Sequence, residues 1–337
     1  MIHNLEDFIH LAKLKSKNAL YLKEKYMNEL ASEIINLKKE KNAVILAHNY
    51  QIGDVQDVAD FVGDSLGLSQ QAAKTEASLI IFCGVHFMAE TASIISPDKK
   101  VLIPDLKAGC SLADTINVEQ LIEWKNDNPG AVVVSYVNTT AAVKAESDYC
   151  CTSSNAVKII EAIPKDKKVL FLPDRYLGQY AKAMTGRNIE IWDGACHVHE
   201  KIGEVSFSDA RLEHPDADFL IHPECGCSTA CMLKSQVYSD CKNIKIFSTE
   251  GMINHVKNSD TKEFVVATEV GILHRLKKIN SEAEFFAMSD KSVCEYMKMI
   301  TLKNLYDSLF YEQYEVKVPE DIALRAKLPI DRMLSIF

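Results

Sequence analysis

From residue 43 onward, short apolar and β-branched runs alternate with segments of helical periodicity. Uncharged strands separated by helices are typical of parallel sheets covered on both faces, so the sequence predicts an α/β fold. Residues 5–40 have an amphipathic pattern rich in Lys and Glu, which predicts one or two N-terminal helices. The predicted strands are 43–47, 79–83, 101–104, 132–136, 169–172, 189–192, 219–221, 244–247, 264–267 and 283–287.

Two kinds of marker recur along the chain at a similar interval. Polar triplets follow a strand at 48–50, 136–138 and 222–224, at intervals of 88 and 86 residues. Cys110, Cys196 and Cys294 each lie in a loop after a strand, at intervals of 86 and 98 residues. Strand recurrence alone is uninformative, because every α/β protein has it. The agreement of two independent markers indicates three homologous units.

The repeat divides the chain into N-terminal helices at 1–42, α/β units at 43–113, 114–200 and 201–300, and a C-terminal segment at 301–337. Three such units are expected to close around a pseudo-threefold axis. The carboxyl ends of parallel strands, where open α/β folds bind ligands, then meet at the centre. One cysteine from each unit is expected to point there.

Charge and composition exclude several classes of protein. The chain has 38 Lys and Arg against 47 Asp and Glu, a net charge of −9, so we expect no nucleic-acid or membrane-surface footprint. No apolar run approaches the roughly 18 residues of a membrane helix, and the first residues lack the basic region of a signal peptide. Without a G-x-G-x-x-G or Walker motif, nothing indicates dinucleotide or nucleotide binding. We expect a cytoplasmic protein.

The chain has 10 cysteines, although a reducing compartment disfavours structural disulfides. Packing as small apolar residues accounts for part of them. The three repeat-related cysteines, Cys110, Cys196 and Cys294, suggest a metal centre with three thiolate ligands. Structural zinc takes four ligands, whereas an iron–sulfur cube held by three thiolates leaves one iron open as a Lewis acid. Three unrelated packing cysteines are the alternative.

A second, denser set of cysteines follows the third polar triplet: Cys225, Cys227, Cys231 and Cys241. Closely spaced thiols with an intervening glycine can form a zinc or iron–sulfur site of their own. However, residues 229–237 have a helical pattern with Ser228 as N-cap, which places Cys231 one turn into the helix. Packing or surface positions are therefore favoured over a second metal site.

Two serines 88 residues apart, Ser65 and Ser153, precede the helical stretches 68–74 and 156–162. Hydroxyl and N–H groups at a helix N-terminus can hold a phosphate or carboxylate. Ordinary N-capping would explain each serine alone, but the shared interval favours a binding site.

Acid and base side chains also concentrate near the strand ends. One such histidine is more often structural, but six groups near repeat-equivalent positions indicate an active site. Thr249 adds a hydroxyl at another strand end. The six groups are His48, Tyr50, Tyr136, His199, His222 and Glu224.

Six short motifs occur in order along the chain: AHNYQ at 47–51, GDS at 63–65, SYVNT at 135–139, TSSNA at 152–156, HPEC at 222–225 and ATEVG at 267–271. Their ordered combination resembles the quinolinate synthase A family, and the resemblance runs from about residue 30 to 310. This resemblance implies three Rossmann-like αβα units around a pseudo-threefold axis. It also implies a 4Fe-4S cluster with an open iron, bound by Cys110, Cys196 and Cys294. Many relatives carry C-x-x-C-x-x-C at the last position, whereas 293–297 offers one thiol here.

The reaction implied by the resemblance condenses iminoaspartate with dihydroxyacetone phosphate, releases phosphate and two waters, and forms quinolinate for NAD biosynthesis. An L-aspartate oxidase would supply the imine. The open iron would help water to leave. Tyr136 and Glu224 would both contact substrate and move protons, and Tyr50 and His199 would move protons. The groups implied to bind phosphate or carboxylates are His48, Ser65, Asn138, Ser153, His222 and Thr249.

Two hypotheses of other classes remain open. A zinc metallohydrolase could use His and Cys ligands, and would lack the brown colour of an iron–sulfur protein. A non-catalytic redox or iron sensor with a labile cluster is less favoured, because the chain has no basic DNA-reading element.

Overall fold

The computed structural model describes residues 17–237 and 243–336. Within them, three four-stranded parallel sheets are flanked by helices and preceded by helix α1 (Lys17–Glu40). The predicted α/β class and an N-terminal helix are confirmed. The amphipathic pattern expected to start at residue 5 lies, up to residue 16, outside the described residues, as does Cys241.

All ten predicted strands are present, with ends that differ by at most two residues. Two three-residue edge strands, β2 (Phe61–Gly63) and β6 (Tyr149–Cys151), were missed, because they lack the repeated β-branched residues that mark short strands such as Ile189–Ile191 and Ile244–Ile246. The first sheet contains β1 (Ala43–His48), β2 (Phe61–Gly63), β3 (Leu79–Cys83) and β4 (Lys100–Leu102). The second contains β5 (Val132–Tyr136), β6 (Tyr149–Cys151), β7 (Val169–Leu172) and β8 (Ile189–Ile191). The third contains β9 (Asp218–Ile221), β10 (Ile244–Ile246), β11 (Glu263–Ala267) and β12 (Glu284–Ala287).

The strand order is the same in each sheet. The orders are β2-β1-β3-β4, β6-β5-β7-β8 and β10-β9-β11-β12, so the first strand of each sheet always lies between the second and the third. All pairs are parallel. The repeat inferred from spacing therefore corresponds to three sheets of one topology. The unit boundaries themselves stay a prediction.

The helices pack around these sheets, and two of them form the C-terminal segment. Of these two, α14 packs on α1 and α15 packs on α6. No helix within residues 17–237 and 243–336 has both the length and the apolar character needed to cross a membrane. The remaining helices are α2 (Gly53–Val58), α3 (Ser65–Lys74), α4 (His86–Ile95), α5 (Val118–Asp127), α6 (Ala141–Ala145), α7 (Ala156–Ala162), α8 (Arg175–Thr185), α9 (Glu204–Glu213), α10 (Ser228–Val237), α11 (Thr249–Lys257), α12 (Ile272–Ile279), α13 (Glu295–Lys298), α14 (Leu302–Tyr311) and α15 (Glu320–Ser335).

The apolar composition of the central strands follows from burial on both faces. Ile45, Leu46 and Ala47 of β1 are fully buried. Helices lie close against the sheets: a Cβ added at Gly178 of α8 would lie 2.7 Å from Ile191 Cγ2 and 2.9 Å from Phe171 Cδ1. A larger residue at this position would force the helix and the sheet apart.

This topology determines where the site forms. In each sheet the first strand, β1, β5 or β9, runs directly into one of the polar triplets, and the fourth strand leads to one of the cysteine loops. Since all strands of a sheet are parallel, these segments leave it at the same edge.

Candidate active site and metal centre

One cavity at the carboxyl ends of the first strands contains every site residue predicted from the sequence. The three units contribute to its wall together, so residues far apart in the chain become neighbours. The predicted residues that line the cavity are His48, Tyr50, Ser65, Cys110, Tyr136, Asn138, Ser153, Cys196, His199, His222, Glu224, Thr249 and Cys294.

The three predicted ligand cysteines differ from the other described cysteines in their exposure. Cys110, Cys196 and Cys294 are partly exposed thiols on the cavity wall, whereas the other six described cysteines are buried. A cluster held by three thiolates needs soft ligands that face one open space. The observed donor set meets this requirement.

Each of these sulfurs also has the same backbone surroundings. Burial raises the pKa of each thiol, and backbone N–H groups two and three positions further along the chain act against this rise: those of Leu112 and Ala113 act on Cys110, and those at the equivalent positions act on Cys196 and Cys294. Burial nevertheless raises the pKa of Cys110 to about 12. A thiolate at this position therefore needs a cation beside it, and a metal centre supplies one.

A second possible ligand set overlaps the first. Ligand atoms of Cys196, His199 and Glu224 all lie within 4.8 Å of one another, which is close enough to share one metal ion. This group has the mixed His, Cys and carboxylate composition that zinc accepts. The structure therefore contains donors for a metal in two overlapping arrangements, both of which include Cys196.

Glu224 lies at the centre of the acid and base groups. The Tyr136 hydroxyl donates a short hydrogen bond to Glu224 Oε1. Two imidazoles face the same carboxyl group: His222 Nδ1 lies 3.5 Å from Oε1 and His199 Nδ1 lies 3.6 Å from Oε2. Tyr136 belongs to the second sheet and Glu224 to the third unit, so this contact crosses between units.

Tyr50 of the first unit joins the same network through its hydroxyl. Tyr50 Oη lies 3.3 Å from His199 Nε2 and 2.5 Å from Thr268 Oγ1. Thr268 Oγ1 in turn lies 3.0 Å from His199 Nε2. His199 therefore has one nitrogen towards Tyr50 and the other towards Glu224, which is suited to proton transfer.

Burial sets the protonation preferences of these groups. It lowers the pKa of His48 to about 3 and that of His199 to about 4, and it lowers the pKa of His222 well below the ordinary range. Burial raises the pKa of Glu224 well above its usual value, and the nearby Asp174 carboxylate adds to the effect. The imidazoles are therefore neutral near pH 7, and Glu224 has a high affinity for a proton.

These shifts predict an acid-dependent loss of stability. The folded state keeps His48 neutral, whereas the unfolded chain binds a proton at this residue below about pH 6.5. The free energy of unfolding is therefore unaffected by His48 above pH 6.5 and decreases as the pH falls towards 3. Between pH 8 and pH 5 this loss amounts to about 2 kcal/mol. We therefore compare the free energy of unfolding of His48→Asn with that of wild type. The variant minus wild-type difference should be about 2 kcal/mol larger at pH 5 than at pH 8. Denaturant unfolding at both pH values measures it.

Other groups titrate in the same range, including Glu224 and Asp174, whose raised pKa values act in the opposite direction. Their contributions are common to both proteins, so the difference isolates His48. A difference that does not change between pH 8 and pH 5 would contradict a neutral, buried His48.

The structure places the two predicted anion-binding serines at helix starts but gives their capping roles to neighbouring residues. Asp64 is the N-cap of α3, and its Oδ1 accepts the Gly67 N–H at 2.8 Å. Ser65 is the first residue of α3, while Ser153 lies two residues before Asn155, the N-cap of α7. The interpretation of these serines as ordinary caps is therefore wrong, and the two loops are joined by a 2.7 Å bond from Ser154 Oγ to Asp64 Oδ2.

Two buried carboxyl groups that the sequence analysis did not assign hold the cysteine loops. Glu269 Oε1 accepts the backbone N–H of Cys294 at 3.1 Å, and Glu269 also pairs with Lys298 at 2.8 Å. Asp174 lies beside the Cys196 loop. Burial raises the pKa of Asp174 to about 7, the backbone N–H of Cys196 acts against this rise, and the Arg175 N–H donates to the Gly194 carbonyl at 2.8 Å. Each acid directly follows a strand segment, and Glu269 lies within the 267–271 motif, but sequence alone gives no partner for either.

Within residues 17–237 and 243–336, no member of the denser cysteine set lines the cavity. Cys225, Cys227 and Cys231 are buried in the apolar core of the third unit. Cys225 Sγ donates to the Ala267 carbonyl at 3.1 Å. These three cysteines pack as apolar core residues, in agreement with the sequence analysis, which favoured packing or surface positions over a second metal site.

Comparison with known proteins identifies the family of this chain. Residues 32–335 match the NadA family model, described as quinolinate synthetase A protein. The quinolinate synthase of Pyrobaculum aerophilum is 56% identical over 306 residues, which cover 91% of this chain and 99% of that protein. The quinolinate synthase of Thermus thermophilus is 51% identical, with coverage of 91% and 97%. That of Mycobacterium tuberculosis is 49% identical, with coverage of 91% and 88%. This chain belongs to the quinolinate synthetase A family.

Proposed function

We propose that this protein is a quinolinate synthase that condenses iminoaspartate with dihydroxyacetone phosphate and releases phosphate and two waters. The observation that carries the proposal is the convergence of all the residues implied by the family resemblance on one cavity. Membership of the quinolinate synthetase A family supports the same proposal.

Both proposed substrates are anions, yet no Lys or Arg is found among the described residues that line the cavity. Binding must then come from hydroxyl, imidazole, amide and backbone N–H groups. Ser65 at the start of the ten-residue helix α3 is suited to a phosphate, with Ser153 from the second unit on the same wall. Asn138 Oδ1 is buried without a hydrogen-bond partner in the structure, so it can accept from a bound substrate.

Cys110, Cys196 and Cys294 would hold a 4Fe-4S cluster by one thiolate from each unit. Such a cluster supplies an open iron that acts as a Lewis acid towards a departing oxygen. The N–H groups around each sulfur support this assignment, because they stabilise thiolate over thiol.

The protons of the condensation are assigned to the network around Glu224. The raised pKa of Glu224 makes its carboxylate a stronger base and lets it hold the proton that it removes. The Tyr136 hydroxyl is hydrogen-bonded to Glu224, so it can pass a proton to or from that carboxyl group. His199 and Tyr50 give a second route on the opposite side of Glu224.

The direct test is turnover by anaerobically purified protein. Iminoaspartate, formed in place from oxaloacetate and ammonia, and dihydroxyacetone phosphate should yield quinolinate and phosphate in equal amounts, as measured by chromatography and a phosphate assay. Iron and sulfide analysis of the same sample separates a 4Fe-4S cluster from a single zinc ion at Cys196, His199 and Glu224. Zinc without sulfide, and no quinolinate, would favour the metallohydrolase hypothesis instead.

Two further proposals follow from the same assignment. Because iminoaspartate is unstable in water, an L-aspartate oxidase is the expected functional partner. We also assign the protein to the cytoplasm, where thiol ligands remain reduced.

Removing the hydroxyl of Ser65 or Ser153 is expected to weaken binding of dihydroxyacetone phosphate. A hydrogen bond to a charged group contributes about 1.5–3 kcal/mol, so each Ser→Ala variant should raise the dissociation constant at least about tenfold. Isothermal titration of the cluster-loaded protein measures this value. Ser208→Ala, at an exposed serine that bonds the Glu204 carbonyl, is the control. Unchanged affinity in both variants would exclude the serines from the phosphate site.

A further inference from the structure

The residue that follows each ligand cysteine takes part in one hydrogen-bonded group. Ser111 follows Cys110, His197 follows Cys196, and Glu295 follows Cys294. His197 Nδ1 lies 2.6 Å from Ser111 Oγ, and His197 Nε2 lies 2.9 Å from Glu295 Oε2. The intervals between the three residues are therefore those of the cysteines, 86 and 98.

One tautomer of His197 allows both of its ring nitrogens to form hydrogen bonds within this group. Neutral His197 with its proton on Nε2 donates to the Glu295 carboxylate and accepts the Ser111 hydroxyl at Nδ1. Both ring nitrogens are then bonded, and each of the three units provides one member. The group therefore connects all three cysteine loops directly.

The group adjoins the ligand cysteines in the chain and is itself partly exposed to solvent. Ser111 and His197 line the cavity, while the His197 and Glu295 side chains are 31% and 60% exposed. The Tyr296 ring lies edge-on to His197 with centroids 6.2 Å apart, and a Cβ at Gly109 would lie 3.8 Å from that ring. The three cysteine loops are thus in contact with one another through residues next to the ligand cysteines.

An exposed histidine–carboxylate pair between units is not in itself unusual in this chain. His274 Nε2 lies 2.7 Å from Asp57 Oδ1, with side-chain exposures of 35% and 42%, so an exposed histidine–carboxylate pair between units occurs elsewhere in this chain. Such a pair usually contributes little stability. Among the residues that the structure describes, the His197 group alone combines contacts from three repeat-equivalent positions with a location next to the ligand cysteines.

We propose that Ser111, His197 and Glu295 form a clasp that holds the three cysteine loops together and shields the iron–sulfur cluster from solvent. The proposal rests on the proposed cluster but not on the identity of the reaction. Groups that orient metal ligands commonly change metal retention when they are removed. Opening the clasp separates loops that belong to different units, and it exposes the cluster to oxidants and chelators.

The test measures cluster loss rather than turnover. The cluster-loaded protein is mixed anaerobically with excess iron chelator, and the decay of visible absorbance and the release of iron are followed with time. His197→Ala, Ser111→Ala and Glu295→Ala are each expected to lose the cluster about tenfold faster than wild type, the lower end of outer-shell effects. Glu295→Gln keeps an acceptor for the imidazole N–H, so it should retain a nearly wild-type rate.

His274→Ala is the matched control, since it removes an equally exposed pair between units. Equal rates in His197→Ala and wild type, or equal acceleration in His274→Ala, would overturn the clasp and leave the cluster assignment intact. Wild-type protein without iron and sulfide would instead refute the cluster itself. A His197→Ala protein that binds no cluster, but matches His274→Ala in circular dichroism and thermal midpoint, would support the clasp.

Discussion

Replacing Cys110, Cys196 or Cys294 with serine is expected to remove the cluster and quinolinate formation together. Each unit supplies one thiolate, so a single substitution leaves two, and two thiolates hold an iron cube poorly. Serine keeps the size of the side chain but is a much weaker ligand for iron near pH 7. We expect less than about a tenth of the wild-type iron and sulfide content, and turnover below detection.

The remaining cysteines provide the controls. Cys83 and Cys227 are fully buried, in β3 and in the core of the third unit. Alanine is the suitable replacement at these positions, because a serine hydroxyl would be buried without a designed partner. Cys83→Ala and Cys227→Ala should keep full iron content. Full cluster occupancy in Cys110→Ser, or its loss in folded Cys227→Ala, would overturn the ligand assignment.

The sequence was most informative where a physical constraint acts on many residues at once. A strand buried on both faces must be apolar along its whole length, so β1, β3 and β7 were recognisable from composition. Parallel topology then places the strand ends at one edge, which is why Tyr136 and Glu224, 88 residues apart, could be expected to meet. Tyr136 and Glu224 belong to different units, and the repeat spacing indicated that the strand ends of the three units face one centre.

The features that were missed depend on pairs of residues rather than on patterns. The edge strands β2 and β6 lack the repeated β-branched residues by which β8 and β10, of the same length, were recognised. Asp64 replaces Ser65 as the cap of α3, although both residue types favour that position. The hydrogen bonds of His197 could not be predicted, because they join side chains of three loops that are far apart in the sequence.

Glu224→Gln is expected to lower turnover by about 10²–10⁴-fold, the usual contribution of a general acid or base, while cluster content stays unchanged. Glutamine has nearly the same shape and can still accept the Tyr136 hydroxyl, so the local packing is retained. It cannot accept a proton. Tyr50→Phe should have a similar effect, because it removes the hydroxyl that faces His199 and Thr268.

Three measurements separate loss of proton transfer from loss of structure. Iron and sulfide content reports on the cluster, titration with dihydroxyacetone phosphate reports on binding, and single-turnover formation of quinolinate reports on chemistry. Glu263→Gln, which alters a carboxyl group paired with His214 away from the cavity, should match wild type in all three.

The fall in turnover should therefore occur without a comparable fall in affinity, because Glu224 acts on protons that move after the substrates bind. Normal turnover by Glu224→Gln would show that the carboxylate is not the base. His199 would not be a simple substitute, because burial lowers its pKa to about 4 and makes it a weak base. The mechanism would then require a base outside the Glu224 network, even for a chain that belongs to the family and binds the cluster.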